Sequence, residues 1–234
     1  MFTQLARGVL ELVYPPVCRL CARLLDTQAD FCLDCLGELT TDPFRSCCRC
    51  GTTVGPHIDT NDGCMQCRLE RHSYDRVFRV GPYRAGLREL VVRAKSDEAI
   101  AEAAGAIFAE RIGCMLARTQ LDGVVAVPLH WKRDWRRGYN QSDLLARKLA
   151  ARIGLKWHRR LLRRTRSTPK QTALTEAARR QNVKGVFRAT RRIKDCRLVL
   201  VDDVLTTGAT ADAAASALKQ AGAASVIVAV LAHG

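Results

Sequence analysis

Residues 197–210, RLVLVDDVLTTGAT, join an apolar strand to a helix through two carboxylates and a hydroxyl-rich turn, an order that few folds accommodate. The apolar run at 198–202 predicts a buried strand, which ends in Asp202 and Asp203. Adjacent carboxylates suit the neighbouring hydroxyls of a sugar, or a magnesium ion that bridges them. The segment therefore predicts an α/β domain that holds its ligand at a strand end.

The turn after this strand has the composition of a phosphate-binding loop. Residues 211–220 predict a helix, so the turn lies at the positive end of a helix dipole, where backbone N–H groups attract anions and glycine permits close approach. The predicted phosphate-binding residues are Thr206, Thr207, Gly208, Ala209 and Thr210. The alternative is a strand end whose hydroxyls only cap the helix. With the carboxylates, the turn predicts a site for ribose 5-phosphate.

Eight of the eleven cysteines form four C-x2-C pairs near the start of the chain. Two such pairs supply four thiolates, which complete one closed tetrahedral zinc site, so four pairs predict two structural zinc ions. Sequential pairing of the motifs is our prediction, although the spacing also allows an interleaved arrangement. The predicted ligands are Cys18, Cys21, Cys32, Cys35, Cys47, Cys50, Cys64 and Cys67.

Metal binding would explain how residues 16–71 fold, because they contain few large apolar side chains and cannot form a core by burial alone. Reactive or redox-active cysteines are the alternative. The other thiols, Cys48, Cys114 and Cys196, are predicted to be packing residues.

The start of the chain predicts a short amphipathic helix over residues 1–16 rather than a signal sequence. No apolar run reaches the length of a membrane span, so we expect no membrane insertion. We predict a cytoplasmic protein whose cysteines do not form a disulfide framework.

Positive charge is concentrated in one region of the chain, whose formal net charge is +15. Residues 130–200 hold 22 Lys and Arg against four Asp and Glu, a net of +18, whereas the rest holds 16 against 19, a net of −3. Such a concentration implies an anionic partner. It exceeds what a small phosphorylated ligand requires and favours nucleic acid, with a solvated basic surface as the alternative.

Beyond residue 73, apolar runs alternate with helical patterns, which indicates a parallel sheet with its ligands at the carboxyl ends of the strands. Strands are predicted at 77–83, 123–129, 155–162, 198–202 and 226–231, and helices at 87–94, 100–118, 140–153 and 211–220. We therefore divide the chain into residues 1–71, with the first helix and the cysteine pairs, and an α/β domain at 74–234.

With these features, nearly the whole chain resembles the ComF family. The resemblance rests on the cysteine pairs, Lys95, residues 137–141 (RGYNQ), the Thr168–Pro169–x–Gln171 and Arg180–x–Asn182–Val183 segments, and the Asp–Asp–x–x–Thr–Thr–Gly motif. It implies a double zinc ribbon followed by a type I phosphoribosyltransferase-like domain with a Rossmann-like parallel sheet. It also implies a role in natural competence or in the use of DNA as a nutrient.

The resemblance implies a role for each part of the site. Asp202 and Asp203 would be the catalytic pair that faces the ribose of phosphoribosyl pyrophosphate (PRPP), with Mg²⁺ bound alongside, and the turn at 206–210 would hold the 5-phosphate. Lys95 would contact a phosphate, or would instead be a solvated helix end. Pyrophosphate would be contacted by Arg133, Arg136 and Arg137, and residues 164–187 would form a mobile hood over the site.

The basic loop at 130–141, HWKRDWRRGYNQ, interleaves aromatic and basic residues. Aromatic faces stack on bases and cations pair with phosphates, a combination that suits single-stranded nucleic acid. The predicted nucleic-acid contacts are Trp131, Lys132, Trp135 and Tyr139. Alternatively, Trp135 and Tyr139 anchor the loop on its domain.

Three functions remain open. The first is a ComF-type protein that binds PRPP-like ligands and single-stranded DNA during DNA uptake and recombination. The second is a metabolic phosphoribosyltransferase, whose acceptor no residue identifies. The third is a non-catalytic zinc-ribbon adaptor for a helicase or recombination partner. The net charge of +18 at 130–200 favours the first over the second, and the intact carboxylate pair and turn argue against the third.

Overall fold

The computed structural model describes residues 15–60, 62–129, 139–166 and 182–234. The helix predicted before Pro15 therefore lies outside the described residues. In chain order, the described elements are α1 (Leu33–Thr40), β1 (Arg45–Ser46), β2 (Thr53–Val54), α2 (Met65–Leu69), β3 (Arg76–Pro82), α3 (Ala85–Arg93), α4 (Glu98–Leu116), β4 (Gly123–Ala126), α5 (Gln141–Ile153), β5 (Leu162–Arg164), β6 (Phe187–Ala189), β7 (Cys196–Leu205), α6 (Ala209–Gln220) and β8 (Ala223–His233).

A parallel sheet of order β3-β8-β7-β4 forms the centre of the described chain. Side chains alternate between its two faces, and each face is apolar. Helices α3, α4 and α5 pack on one face, and α6 and the antiparallel hairpin β5–β6 pack on the other. Because both faces are covered, β7 and β8 are nearly continuous apolar runs, as parallel strands require. The predicted α/β fold is confirmed.

Strand β7 is longer than the sequence predicted. It continues through the two aspartates to Leu205, and Asp202 pairs in register with Val230 of β8. The carboxylates therefore project from the last part of a paired strand instead of following its end. Pairing with β8 fixes their backbone, whereas the pairing with β4 ends at Val201, and a paired strand holds the side chains more rigidly than a loop would.

The strand predicted at 155–162 is wrong. This segment contributes only an isolated parallel bridge between Trp157 and Val124, followed by a turn that the Leu161 N–H closes on the His158 carbonyl at 3.1 Å. The paired strand β5 begins at Leu162 and belongs to the separate hairpin with β6. The basic residues of the segment have no place in a sheet that is buried on both faces.

The first cysteine group consists of Cys18, Cys21, Cys32 and Cys35. All of these except the exposed Cys21 share an apolar cluster with α3 and α4. A polar contact reinforces this packing, because the Gly86 N–H at the start of α3 donates to Glu38 Oε1 of α1 at 2.8 Å. The domain boundary between residues 71 and 74 stays a prediction, since this part of the cysteine-rich segment is built into the same core as the sheet.

The second cysteine group, Cys47, Cys50, Cys64 and Cys67, is joined to the sheet by a buried guanidinium. Arg79 of β3 is only 3% exposed. Its Nε donates to Asp42 Oδ2, and its Nη1 donates to the Gly51 carbonyl and to Thr53 Oγ1, each at 2.9 Å. A buried charge is tolerated only when it is paired and hydrogen-bonded, so these acceptors fix where residues 42–53 lie on the sheet.

We predict that Arg79→Ala lowers the free energy of unfolding by about 3–5 kcal/mol, because it leaves the Asp42 carboxylate and the Gly51 carbonyl without their buried partner. Arg76→Ala removes an exposed arginine from the same strand and should change it by no more than about 0.5 kcal/mol. Urea unfolding of both variants measures the difference. Equal effects of the two substitutions would contradict the role given to Arg79.

Candidate functional site

Hydrogen bonds from two elements fix the carboxylate pair. Asp202 Oδ1 accepts from Ser142 Oγ of α5 at 2.8 Å and from the Asp203 N–H at 2.9 Å. Asp203 Oδ1 accepts from the Val204 N–H at 2.8 Å. Both aspartates are half-buried. The hydrogen bonds orient their oxygens before any ligand arrives.

The electrostatics of the pair favour a ligand that brings positive charge or hydroxyl donors. Burial of the carboxyl group, and next the charge of Asp203, raise the pKa of Asp202 well above its usual range. A positive charge lies next to the second carboxylate, because Lys95 Nζ is 3.7 Å from Asp203 Oδ2. Carboxylate oxygens crowded in this way are the ligands that Mg²⁺ prefers, so the residues present fit that ion.

The turn after β7 has the backbone of an anion-binding loop. Gly208 has a φ of 74°, in the left-handed region, and caps α6, which begins at Ala209 rather than at the predicted residue 211. The first helical hydrogen bond runs from the Asp212 N–H to the Gly208 carbonyl at 2.8 Å. Ala209 and Thr210 therefore lie in the first helical turn, at the positive end of the helix dipole.

Tyr74 leaves no room for a side chain at the glycine of this loop. A Cβ on Gly208 would lie 2.8 Å from Tyr74 Oη. Burial raises the pKa of the Tyr74 phenol well above its usual range, so the hydroxyl stays protonated beside the loop. Close packing and positive φ both require glycine here, which accounts for the residue in the motif.

A cavity of about 370 Å³ lies between the second cysteine group and this loop. Its walls include His72, Tyr74, Thr206 and His233. The rings of His72 and Tyr74 are stacked, with centroids 4.7 Å apart and planes 7° apart. Burial, and next the charge of Arg79, lower the pKa of His233 to about 4, so this imidazole is neutral at pH 7.

The four sulfurs of each cysteine group lie within 4.8 Å of one another. Resolved pairs are 3.7 Å apart for Cys21 and Cys32, 3.6 Å for Cys50 and Cys64, and 3.9 Å for Cys64 and Cys67. These separations exceed a disulfide bond of about 2.0 Å. They match the edge of a tetrahedron with metal–sulfur bonds of about 2.3 Å. The predicted sequential pairing is confirmed, and the donor set fits zinc.

In each cysteine group, one thiol has a pKa below that of a free cysteine. Burial opposes ionisation of Cys18, but backbone N–H groups, including that of Cys21, donate to its sulfur and lower its pKa to about 6. Cys47 has the same arrangement, with burial again opposing and the N–H groups of Cys50 and Arg49 lowering the pKa to about 7. Such N–H donors stabilise a thiolate, which is the form that binds a metal.

The other three cysteines stand apart from both groups. Cys48 is half-buried, and its Sγ donates to the Thr60 carbonyl at 3.2 Å. Cys196 is also half-buried, whereas Cys114 is exposed on α4 and is not the packing residue that we predicted.

Several residues predicted for the site fall outside the described part of the chain. They are Trp131, Lys132, Arg133, Trp135, Arg136 and Arg137, and the hood residues between 167 and 181. Tyr139 is described: its hydroxyl donates to the Ala94 carbonyl at 2.6 Å, and its ring packs against the core. This contact is the one expected if Tyr139 anchors the loop, and it also holds the backbone beside Lys95.

Comparison with known proteins agrees with this geometry. Residues 136–234 match the phosphoribosyl transferase domain family. The chain is 32% identical over 229 residues to the DNA utilization protein YhgH of Salmonella typhimurium strain LT2, an alignment that covers 96% of this chain and 93% of that protein. YhgH of Escherichia coli strain K12 gives the same identity and coverage. The chain belongs to the ComF family.

A second ComF relative is Competence protein F of Haemophilus influenzae, 29% identical over 201 residues, or 82% of this chain and 85% of that protein. The family and the phosphoribosyltransferase-like fold that the motifs predicted are thereby confirmed. Within the described residues, no helix combines the length and apolar character needed to cross a membrane.

Two residues that shape the candidate site were missed in the sequence. Ser142 is 4% exposed and orients Asp202. From the sequence, its position directly after the RGYNQ segment indicated only that it lies near the start of a helix. Tyr74 marked the beginning of the α/β pattern and nothing more. Both act through contacts with residues distant in the chain, so no local pattern could have assigned them.

We predict that Asp202→Asn stabilises the protein without ligand, because the amide keeps the hydrogen bonds and removes a half-buried charge that lies next to a second carboxylate. Since the folded-state pKa is raised, the contribution of Asp202 to stability falls as pH rises above its ordinary pKa of about 4. The gain should reach about 1–3 kcal/mol at pH 7.5 and be smaller at pH 5 by urea unfolding.

Asp122→Asn is the control for this measurement. A hydrogen bond from Arg197 holds the pKa of exposed Asp122 below its usual range, so this carboxylate is ionised at both pH values. Its replacement should cause no gain at either pH. A loss of stability in Asp202→Asn at pH 7.5 would contradict the proposed cost of the buried charge.

Proposed function

We propose that this ComF-family protein binds PRPP or a similar phosphorylated ribose at the end of β7, and that it handles single-stranded DNA during DNA uptake or utilisation. The observation that carries the first part is the oriented pair Asp202–Asp203 beside a left-handed Gly208 at a helix start. The second part draws on the names of the relatives, DNA utilization protein and Competence protein F, and on the net charge of +18 at residues 130–200.

Different residues of the site would bind different parts of the ligand. The backbone at 206–210 would bind the 5-phosphate, and the oriented carboxylates would accept hydrogen bonds from the ribose hydroxyls. Lys95 would balance the charge of Asp203 and lie close to a phosphate. Mg²⁺ held beside the carboxylates would supply positive charge to the pyrophosphate. By family resemblance, Arg133, Arg136 and Arg137 would contact the same group.

An active phosphoribosyltransferase is a second candidate, favoured by the cavity between the loop and the second cysteine group. Its volume of about 370 Å³ suits a small acceptor. In such a reaction the acceptor would displace pyrophosphate at the anomeric carbon, and Asp202 and Asp203 would stabilise the positive charge that develops on the ribose.

For DNA, the proposed contacts by family resemblance and composition are Trp131, Lys132, Trp135 and Tyr139. Because the Tyr139 hydroxyl donates to the Ala94 carbonyl, Tyr139 would hold the loop in place while the cations of the loop bind phosphates. A helicase or recombination protein is the partner proposed for passing the strand on.

We further propose that both cysteine groups hold zinc. Four thiolates in a closed tetrahedron leave no position for substrate, so these ions would be structural. The first ion would stabilise the packing of α1 on α3, and the second would stabilise the segment that Arg79 binds.

Metal analysis of the purified protein should give two zinc ions per chain. Cys64→Ser removes one ligand of the second group and should lower the content to one ion, with loss of a large part of the binding free energy of about 10–16 kcal/mol for a structural site. Cys48→Ser, which changes a thiol between two ligands but outside the group, should keep both ions. One ion or none in the intact protein would refute the two-site proposal.

Replacing both aspartates with asparagine should abolish PRPP binding in titration calorimetry. Each charge-assisted contact is worth about 1.5–3 kcal/mol, so the double variant should lose at least about a hundredfold in affinity. Asp195→Asn is the matched control, because Asp195 is exposed and has a positive φ of 49° that asparagine tolerates. Unchanged affinity in a folded double variant would show that the site is elsewhere.

A further inference from the structure

A groove lined by four arginines lies on the α6 side of the sheet, away from the carboxylate pair. Its volume is about 510 Å³, and it runs between the hairpin β5–β6 and the carboxyl-terminal part of α6. The arginines are Arg163 of β5, Arg188 of β6, and Arg191 and Arg192, which follow β6. All four side chains are exposed. We name this surface the arginine groove.

Two of these arginines face each other across the hairpin. Arg163 and Arg188 are direct partners in the antiparallel register, so their side chains project from the same side. Like charges directly opposite each other destabilise a strand pair. The pair therefore lowers the stability of the hairpin, and an anion bound between the two guanidinium groups would relieve the repulsion.

The two described segments that border the groove carry no acidic side chain of their own. Residues 156–166 and 182–194 contain eleven Lys and Arg and no Asp or Glu. Among the described residues, none of the four groove arginines forms an ion pair, although exposed arginines elsewhere do so, such as Arg152 with Glu110 and Arg197 with Asp122. The positive charge of the groove is therefore available to a ligand from solution.

The groove is separate from the proposed PRPP site. It borders α6 at Ala217 and Gln220, whereas the phosphate loop lies at the other end of this helix, before Ala209. At about 1.5 Å per helical residue, Ala217 and Gln220 lie about 12 Å and 17 Å along the axis from Ala209. One PRPP molecule held by Asp202 and the loop would therefore leave the groove open.

The composition of the groove selects the backbone of a nucleic acid rather than its bases. Arginine binds phosphate through two parallel N–H donors. The aromatic ring of the hairpin, Phe187, is 6% exposed and is covered by the Arg164 guanidinium, so it offers no platform for a base. A flexible single strand can follow a groove of this size, whereas a duplex is stiff over its persistence length of about 150 base pairs.

We propose that the arginine groove binds the phosphodiester backbone of single-stranded DNA, without sequence preference and independently of the PRPP site. This proposal rests on the proposed DNA-handling function, and it adds a described surface to the predicted contacts at 131–139. Bound phosphates would lie between Arg163 and Arg188 and relieve their repulsion.

Fluorescence anisotropy with a labelled oligothymidylate, measured over a series of salt concentrations, tests the groove. Arg163→Ala with Arg188→Ala should weaken binding by about tenfold and make the slope of log affinity against log salt shallower by about 1.4, since each phosphate contact contributes about 0.7. Arg76→Ala with Arg118→Ala removes the same charge from exposed positions outside the groove and should leave the slope unchanged.

A charge reversal provides a second, independent variant. Arg188→Glu places opposite charges across the hairpin, so it should raise the thermal stability of the protein while it lowers DNA affinity. The affinity for PRPP should be the same in all these variants. Better folding with weaker DNA binding cannot be explained by damage to the structure.

The outcomes separate the two proposals. If the unmodified protein and the groove variants bind the oligonucleotide equally well, the proposal that the groove binds DNA is wrong. The proposed DNA-handling function is then unaffected. If the groove and control pairs weaken binding equally, only net charge matters and the groove is again overturned. If the unmodified protein has no affinity for the oligonucleotide at low salt, both proposals fail, whereas PRPP binding is judged by its own titration.

Discussion

The buried guanidinium of Arg79 determines where the cysteine-rich segment lies on the sheet. A charge with 3% exposure requires acceptors on all sides, and those acceptors come from Asp42, Gly51 and Thr53. Their position brings the second cysteine group over the end of β8 and next to the phosphate loop. The cavity lies between these parts of the chain, and burial there, followed by the charge of Arg79, lowers the pKa of His233. The cysteine-rich segment thus lines the candidate site as well as supporting the fold.

The carboxylate pair shows the opposite relation between energy and function. Asp202 would be more stable as a neutral group, because its carboxyl is buried next to a second carboxylate. Ser142 and the backbone nevertheless hold its oxygen in place for a ligand. Carboxylates with unfavourable electrostatics of this kind are common at binding sites, where a bound ligand can neutralise the charge. The facing arginines of the hairpin follow the same logic with the sign of the charge reversed.

Local patterns predicted the parts of this protein whose chemistry is contained in a short segment. The strand, carboxylates and glycine turn at 197–210 and the C-x2-C pairs are of this kind, and so the fold, the family and the sequential pairing were predicted correctly. The strand at 155–162 was not, because an apolar run with basic residues does not reveal which partner pairs with it. Ser142, Tyr74 and the register of Arg163 with Arg188 depend on contacts distant in the chain. No window of sequence contains them.

The short stretch that connects the cysteine-rich segment to β3 does not behave as a linker in the usual sense. His72 stacks on Tyr74, the Ser73 N–H donates to Asp212 Oδ1 at 2.5 Å, and the Tyr74 hydroxyl lies against Gly208. Each residue of the junction therefore contacts the cavity, the phosphate loop or the first turn of α6. An insertion of one residue at this junction would displace the wall of the candidate site. The cysteine-rich segment and the sheet therefore cannot be exchanged independently of each other. Physical chemistry alone thus gives a reason for the two halves to be inherited as one unit.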